Sequence, residues 1–267
     1  MPQIDTSVPS VARIYDYLLG GKDNFAADRE AAERQAAAVP QLPSMARQNR
    51  EFLRRAVRFV AGQGVTQFLD LGSGLPTNEN VHEVAQRVQP DARVVYVDID
   101  SIAVSHARAL LAGQRTEAIW GDLCRPDEIL ADPDVRKLID FGQPVAVLAV
   151  SVLHSIADES DPAGAMARLR AVMAPGSYLV ISHAAVSPGH VVGAKRLSKA
   201  ARELADSIPR TATVPGRTRD EIAAFFGDLT LVEPGLTDIG AWRQEGEQDT
   251  VTSDVFRMLG GVARAGG

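Results

Sequence analysis

The sequence predicts an α/β protein built on a doubly wound, mostly parallel sheet. From residue 66 onward, short apolar runs alternate with helical segments, a pattern that is typical of βαβ units. The runs are apolar throughout, as expected for strands that are covered on both faces. The first run ends in Asp70 and is followed by Gly72 and Gly74, which indicates a strand, a tight turn and the start of a helix.

The same patterns place the elements along the chain. Strands are predicted at 67–70, 93–97, 117–120, 145–150 and 178–183, with helices between them at 78–89, 101–112, 126–139 and 161–173. Further helices are predicted at 190–206 and 218–226, and weaker strands at 229–232 and at either 255–258 or 261–263.

Three helices are predicted before the first strand, at 10–19, 26–38 and 44–63. Periodicity alone favours a role in covering the core. We interpret residues 1–63 as a helical cap or lid on an α/β core formed by 64–267, within one domain, because no repeat or linker divides the chain.

Composition limits the class of protein. The 267 residues are 45% hydrophobic and 23% charged, which is enough for one large domain. The net charge of −6 gives little support for a nucleic-acid partner. Cys124 is the only cysteine, so neither an internal disulfide nor a cysteine-based metal site is expected. With no apolar signal core and no run long enough to span a membrane, we expect a cytoplasmic protein without a membrane partner.

Three acidic residues, Asp70, Asp98 and Asp122, follow three successive predicted strands. The carboxyl ends of parallel strands share one edge of a sheet, where open α/β sheets bind ligands. Asp98 lies 24 residues after Gly74, close to the position at which an acid binds ribose hydroxyls in nucleotide-binding folds. Asp100 is the alternative for this role. We favour ribose binding by Asp98 and helix capping by Asp100.

The glycine loop favours a cationic ligand over a phosphorylated one. A dinucleotide fingerprint requires a third glycine at the position of Thr77, and no P-loop motif is present. Asp70 would repel a pyrophosphate but suits an ammonium group. These residues therefore predict an adenosine-type ligand with a cationic end.

Three segments, 70–74, 95–98 and 120–123, resemble successive motifs of the class I S-adenosylmethionine-dependent methyltransferases. The segment 12–25 resembles, more narrowly, an actinobacterial subfamily of S-adenosyl methyltransferases whose substrates are largely unassigned, and 49–50 and 152–158 fit the same subfamily. This resemblance covers nearly the whole chain. It implies a Rossmann-like sheet of seven strands in the order 3-2-1-4-5-7-6, with the seventh antiparallel, and S-adenosyl-L-methionine as cofactor.

The resemblance also implies which residues contact the cofactor, all of them at strand ends. They are Gly72, Ser73 and Gly74 under the methionine part, Asp98 at the ribose hydroxyls, Ile99 next to it in the chain, Asp122 and Leu123 at the adenine, and Ser151 near the sulfonium and the substrate.

The turn after the first helix is more polar than a helix end requires. Tyr15 lies in that helix, and Gly20, Gly21, Lys22 and Asn24 follow it. We interpret these residues as part of a lid that folds over the cofactor and excludes water. A surface helix end is the alternative.

Two histidines are candidate general bases. His154 follows the fourth strand and His183 ends the fifth, and histidine can exchange a proton near neutral pH. A base matters chiefly when the acceptor atom carries a proton, because alignment of the reactants supplies much of the rate. The alternative is a polar position without a catalytic role.

These observations predict methyl transfer to a small-molecule acceptor. The segment 151–154 lacks the Asn-Pro-Pro-Tyr or Asp-Pro-Pro-Tyr sequence that points to methylation of nucleobase amino groups. Two alternatives remain: a non-catalytic sensor that binds S-adenosylmethionine or S-adenosylhomocysteine, and an NAD-type oxidoreductase, which Asp70 and Thr77 disfavour. The acceptor and the oligomeric state are left open.

Overall fold

A mixed sheet with helices on both faces lies at the centre of the protein. The computed structural model describes residues 5–77, 79–111, 113, 115–186, 216–244, 246, 251, 253 and 256–266. The strands are β1 Gln67–Leu71, β2 Arg93–Asp98, β3 Thr116–Trp120, β4 Ala146–Val150, β5 Tyr178–Val186, β6 Thr230–Leu231, β7 Thr237–Asp238 and β8 Phe256–Arg264. The helices are α1 Val11–Leu18, α2 Ala26–Ala38, α3 Leu42–Gly62, α4 Val81–Val88, α5 Ser101–Leu111, α6 Pro126–Ala131, α7 Pro133–Leu138, α8 Pro162–Arg170 and α9 Arg219–Ala224.

The strand order is β3-β2-β1-β4-β5-β8-β6, with β7 paired to β8 outside this path. Strands β1 to β5 are parallel, and β8 runs antiparallel to β5. The doubly wound, mostly parallel, Rossmann-like sheet is thus confirmed. In the described part of the chain it has eight strands rather than the seven expected. The additional strand is β7, which is only two residues long and therefore has no periodicity from which it could be predicted.

The two alternative C-terminal strand candidates belong to one nine-residue strand, β8. The pattern is interrupted by Gly260 and Gly261 at its centre. A Cβ at Gly260 would lie 2.8 Å from the ring of Phe52 on α3, so the glycine allows this helix to pack closely on the strand.

Two helix predictions need correction, both at prolines. Helix α3 begins at Leu42, so Pro43 lies inside its first turn, where a missing N–H has no intrahelical partner to lose. The helix predicted at 126–139 is divided into α6 and α7 at Pro133. Asp132 caps α7 by accepting a hydrogen bond from the N–H of Asp134 at 2.8 Å. The helix predicted at 190–206 lies outside the described residues.

The N-terminal helices cover the core as well as the ligand edge. Phe52 and Val57 of α3 are fully buried against Phe68 and Leu148 of the sheet. Each such side chain contributes about 1.5–3 kcal/mol through burial. Helices α1 and α2 bury a separate small cluster around Ile14. Within the described residues, no helix combines the length and apolarity needed to cross a membrane.

Candidate functional site

A cavity of about 840 Å³ opens at the carboxyl ends of the parallel strands. Its size falls within the range of small-molecule sites, roughly 300–1,000 Å³. Most of the predicted site residues line it, namely Tyr15, Asp70, Gly72, Ser73, Gly74, Asp98, Ile99, Asp122, Leu123, Ser151 and His154. Five others do not, namely Gly20, Gly21, Lys22, Asn24 and His183.

The glycine loop presents bare backbone to this cavity. Gly72 has a φ of +69°, and its N–H donates to the carbonyl of Val97 at 2.8 Å. A Cβ at Gly72 would lie 2.4 Å from Cγ2 of Val152, so no larger residue fits there without rearrangement. Gly74 has a φ of +68°, and the space where its Cβ would point is empty within 4 Å. The loop can therefore accept a ligand at close range.

Asp98 holds this loop and the start of α5 together. Its Oδ2 accepts from the N–H of Gly74 at 2.7 Å, and its Oδ1 accepts from the N–H of Asp100 at 2.8 Å. Each oxygen keeps a further lone pair that a ligand hydroxyl can use. Burial raises the pKa of Asp98 to about 6. Asp100 itself caps α5, accepting from the N–H of Ile102 at 2.8 Å, as the favoured assignment predicts.

Asp70 is a buried carboxyl group that faces the cavity without a hydrogen-bond donor among the described residues. Only 5% of its surface is exposed, and burial raises its pKa to about 7. The nearby Arg50 guanidinium lowers that pKa in part. A buried carboxylate of this kind is costly unless a cation approaches it, so the position suits a ligand ammonium group.

An apolar slot lies beside the ends of β2 and β3. Ile99 is 58% exposed although it is a large apolar residue, Leu123 is buried, and both line the cavity. Asp122 directly precedes Leu123 in the chain, and one of its carboxylate oxygens accepts a hydrogen bond from the N–H of Cys124 at 2.9 Å. An apolar slot with a carboxylate beside it fits a purine with an exocyclic amino group.

Ser151, at the end of β4, has a left-handed backbone with a φ of +61°. This conformation is uncommon for a residue other than glycine and costs about 1–3 kcal/mol. Its N–H donates to the carbonyl of Ser182 at 3.1 Å. The turn at Ser151 directs the following segment, which includes His154, along the cavity wall.

The two predicted catalytic histidines are placed differently. His154 lines the cavity, and its Nδ1 is buried without a hydrogen-bond partner among the described residues. Burial lowers its pKa to about 4, so its imidazole is neutral at pH 7.

His183 lies on the face of β5 that points away from the cavity. The next residue, Ala184, lines the cavity, and successive side chains of a strand alternate between faces. Its Nδ1 donates to the carbonyl of Ala184 at 2.8 Å, and its Nε2 accepts from Arg217 at 3.0 Å. Burial lowers its pKa to about 2. With both ring nitrogens in use and no access to the cavity, this placement argues against the predicted catalytic role of His183.

Arg217 was missed by sequence reasoning, because no motif surrounds it. It is 5% exposed and fixes the segment after β4. It donates to the carbonyl of Leu153 at 2.7 Å, to the carbonyl of Ile156 at 3.0 Å and to the carboxylate of Asp158 at 2.6 Å.

The polar turn after α1 is organised by Asp16 rather than by the cavity. The carboxylate of Asp16 accepts from the side chain of Asn24 at 2.8 Å. A Cβ at Gly21 would overlap the same carboxylate at 2.0 Å, and Lys22 is exposed. The geometry of the four predicted lid residues in this turn is that of a surface helix end.

Helix α1 itself forms a wall of the cavity, and Tyr15 anchors it. The hydroxyl of Tyr15 donates to the carbonyl of Ala46 at 3.1 Å and accepts from the side chain of Asn49 at 2.9 Å. Asn49 in turn accepts from the hydroxyl of Ser182 at 2.6 Å. This buried series of hydrogen bonds joins α1, α3 and β5.

Solved structures from two actinobacteria are similar to the chain over nearly its full length. The chain is similar to a candidate methyltransferase from Thermobifida fusca, at 41% identity over 98% of this chain and 97% of that chain, with a TM-score of 0.87. It is also similar to a DUF574 family protein from Streptomyces avermitilis, at 38% identity over 98% of this chain and all of that chain, with a TM-score of 0.86. None of the curated proteins compared with the chain matches it.

A family model described as S-adenosyl methyltransferase matches residues 1–266, almost the full length of the chain. The cofactor of that family is S-adenosyl-L-methionine, and three features of the cavity fit it. They are the Asp70 carboxyl group, which has no hydrogen-bond donor among the described residues, the loop without side chains at Gly72 and Gly74, and the two carboxylate oxygens of Asp98. The chain therefore belongs to the S-adenosyl methyltransferase family, and its cofactor is S-adenosyl-L-methionine.

Proposed function

We propose that the protein transfers a methyl group from S-adenosyl-L-methionine to a small-molecule acceptor held in the same cavity. The observation that carries this proposal is the row of carboxyl groups from Asp70, Asp98 and Asp122 along one wall of the cavity, with the bare glycine loop between the first two. When bound, the cofactor supplies an electrophilic methyl group on a sulfonium.

The residues of the chain bind the cofactor and orient it toward the acceptor. Asp98 accepts hydrogen bonds from the ribose hydroxyls while keeping its bonds to the loop. Asp70 faces the ammonium group, and Ile99 and Leu123 hold the adenine in the apolar slot. The Ser151 turn brings the segment after β4 to the reacting end of the ligand. Holding the two reactants in line accounts for a large part of the rate enhancement.

The acceptor side of the cavity supports a small, largely apolar acceptor. It lies toward β4, β5 and β8, and its described lining is mostly apolar, with Leu42, Met45, Leu53, Ala184 and Met258. The polar groups of Tyr15 and Asn49 on this side already bond to each other.

His154 also lines the cavity, and its Nδ1 has no hydrogen-bond partner among the described residues. Since burial lowers its pKa to about 4, its imidazole is neutral at pH 7 and can accept a hydrogen bond from an acceptor hydroxyl or amine, and it takes up the proton only where a bound substrate raises that pKa. This feature favours an enzyme over the alternative, a non-catalytic sensor of S-adenosylmethionine or S-adenosylhomocysteine.

Incubation with methyl-labelled S-adenosylmethionine and a fractionated metabolite extract tests the proposal. We expect label in at least one small molecule, and we expect less transfer by His154→Asn with unchanged affinity for S-adenosylhomocysteine. Tight binding of S-adenosylhomocysteine with no transfer in any fraction would favour the sensor. Thermal stabilisation by NAD but not by S-adenosylhomocysteine would contradict both.

A further inference from the structure

Gln35, near the end of α2, is a polar residue in the wall of the cavity. Only 9% of its surface is exposed. Its backbone carbonyl accepts from the N–H of Val39 at 2.8 Å, but its side-chain amide has no hydrogen-bond partner among the described residues. Side-chain amides buried to this extent are normally hydrogen-bonded. The amide of Gln35 is therefore left for a ligand.

The buried face of α2 carries one other polar residue, Asp28, which already has its partners. The carboxylate of Asp28 accepts from the N–H of Ser10 at 2.9 Å and from the N–H of Phe25 at 2.8 Å. Two alanines between the polar residues pack on Ile14 of α1. Hydrogen bonds within the protein therefore explain the burial of Asp28 and do not explain that of Gln35.

Gln35 lies beside the apolar, acceptor side of the cavity. One turn later the carbonyl of Val39 accepts from the N–H of Leu42 at 3.1 Å, which leads the chain into α3. Leu42 and Met45 of α3 line the acceptor side, and Leu18 of α1, which packs with α2, lines the cavity as well. The amide of Gln35 is thus a hydrogen-bonding group at the edge of an apolar wall.

The wall around Gln35 favours a neutral ligand group. Among the described lining residues, neither α2 nor the first two turns of α3 contributes a charged side chain. Helix α1 contributes Arg13, whose Nε already lies 3.5 Å from the carboxylates of both Asp28 and Asp100. A charged ligand group beside Gln35 would therefore be buried without a counter-ion from these helices, which is costly.

We propose that Gln35 is a specificity-determining residue, which binds a neutral acceptor through a hydrogen-bond donor and a hydrogen-bond acceptor held side by side, as in a lactam. The side-chain amide of glutamine carries a carbonyl oxygen and an N–H next to each other, so it can form two hydrogen bonds with such a group. This role rests on the proposed function, because it names the class of molecule that the acceptor side holds.

Binding of two probes to the protein saturated with S-adenosylhomocysteine tests this role. Quinolin-2-one is a neutral two-ring lactam, and naphthalene has the same two-ring shape without hydrogen-bonding atoms. NMR titration measures both affinities. We expect the affinity for quinolin-2-one, relative to that for naphthalene, to fall by about tenfold or more from the wild type to Gln35→Leu, because two hydrogen bonds are lost.

Gln63→Leu is the matched control, since Gln63 is exposed at the end of α3 and does not line the cavity. Its ratio of affinities should equal that of the wild type. Urea unfolding without ligand checks the fold. We expect Gln35→Leu to unfold at no lower urea concentration than the wild type, because an apolar side chain replaces an amide that has no partner in the described structure.

Three outcomes would contradict these proposals. An unchanged ratio of affinities in Gln35→Leu would overturn the role of Gln35, and with a lower urea midpoint it would show that the amide is structural. Binding of neither probe to the loaded wild type would overturn the assigned class of acceptor. Failure of the wild type to bind S-adenosylhomocysteine would contradict the proposed function itself, before any probe is added.

Discussion

The carboxylate of Asp98 accepts a hydrogen bond from the N–H of Gly74 at 2.7 Å, across 24 residues of sequence. The acid at the end of β2 therefore shapes the loop that follows β1 as well as facing the cavity. A ligand bound here meets one preorganised unit rather than two independent motifs.

Replacement of Asp98 by alanine removes this unit. We expect Asp98→Ala to weaken S-adenosylhomocysteine by more than about tenfold, because both the hydroxyl acceptor and the loop restraint are lost. Asp91→Ala serves as control, since the Asp91 side chain is 84% exposed and pairs only with Arg115 at the surface. Calorimetry measures both variants. Wild-type affinity in Asp98→Ala would refute the ribose role.

Two glycines of the loop should respond differently to alanine. At Gly72 the new methyl group would meet Val152 at 2.4 Å and the backbone would keep a φ of +69°, so we expect a loss of stability of about 3 kcal/mol or more. At Gly74 only the φ of +68° opposes the change, at a cost of about 1–2 kcal/mol. Urea unfolding without ligand measures both values. Equal losses would mean that contact with Val152 is not what excludes a side chain at Gly72.

The stability of the ligand-free protein should depend on pH through Asp70. Its pKa is about 7 when folded, against 3.8 for an unperturbed group, so its contribution to stability is full below about pH 4 and is lost as the pH rises through 7. The variant Asp70→Asn has no carboxyl group at this position, so it does not lose stability in this way as the pH rises. From pH 5 to pH 8, the free energy of unfolding of the wild type should fall by about 2–3 kcal/mol relative to the variant.

Denaturation at both pH values gives this difference. The low pKa values of His154 and His183 also make stability depend on pH, but they do so in both proteins and cancel in the comparison. Asp91→Asn, at an exposed site, should track the wild type. A wild-type-to-variant difference that stays constant with pH would show that Asp70 is ionised in the folded protein throughout this range.

Two tyrosines of α1 form a second matched pair. Tyr15→Phe leaves the amide of Asn49 and the carbonyl of Ala46 without their partner in a buried place, at an expected cost of about 1–3 kcal/mol. Tyr17→Phe removes only an exposed bond to Glu33 and should cost less than about 0.5 kcal/mol. Urea midpoints compare the two variants. Similar losses would contradict the anchoring role of Tyr15.

Much of the cofactor edge could be predicted from the sequence. Asp70, Gly72, Gly74 and Asp98 lie at strand ends and turns, and these depend on the local pattern of apolar runs and glycines. The capping role of Asp100 was also within reach, because an acid immediately before a helix is a local capping signal.

Helix boundaries at Pro43 and Pro133 were less predictable, since proline both starts and ends helices and only the surrounding chain selects between them. The face on which His183 lies was also open. A one-residue shift in the predicted end of a strand moves a side chain from the cavity to the opposite face of the sheet.

The sequence by itself thus determined the sheet, its ligand edge and the kind of molecule that binds there, because strand ends and glycine turns are local features. Only the tertiary structure decided that Arg50 and Asp70 line the same cavity and that Arg217 donates a hydrogen bond to His183. The physical reason is that burial and charge compensation depend on partners brought together from distant parts of the chain, and no spacing in the sequence encodes which donors remain unpaired.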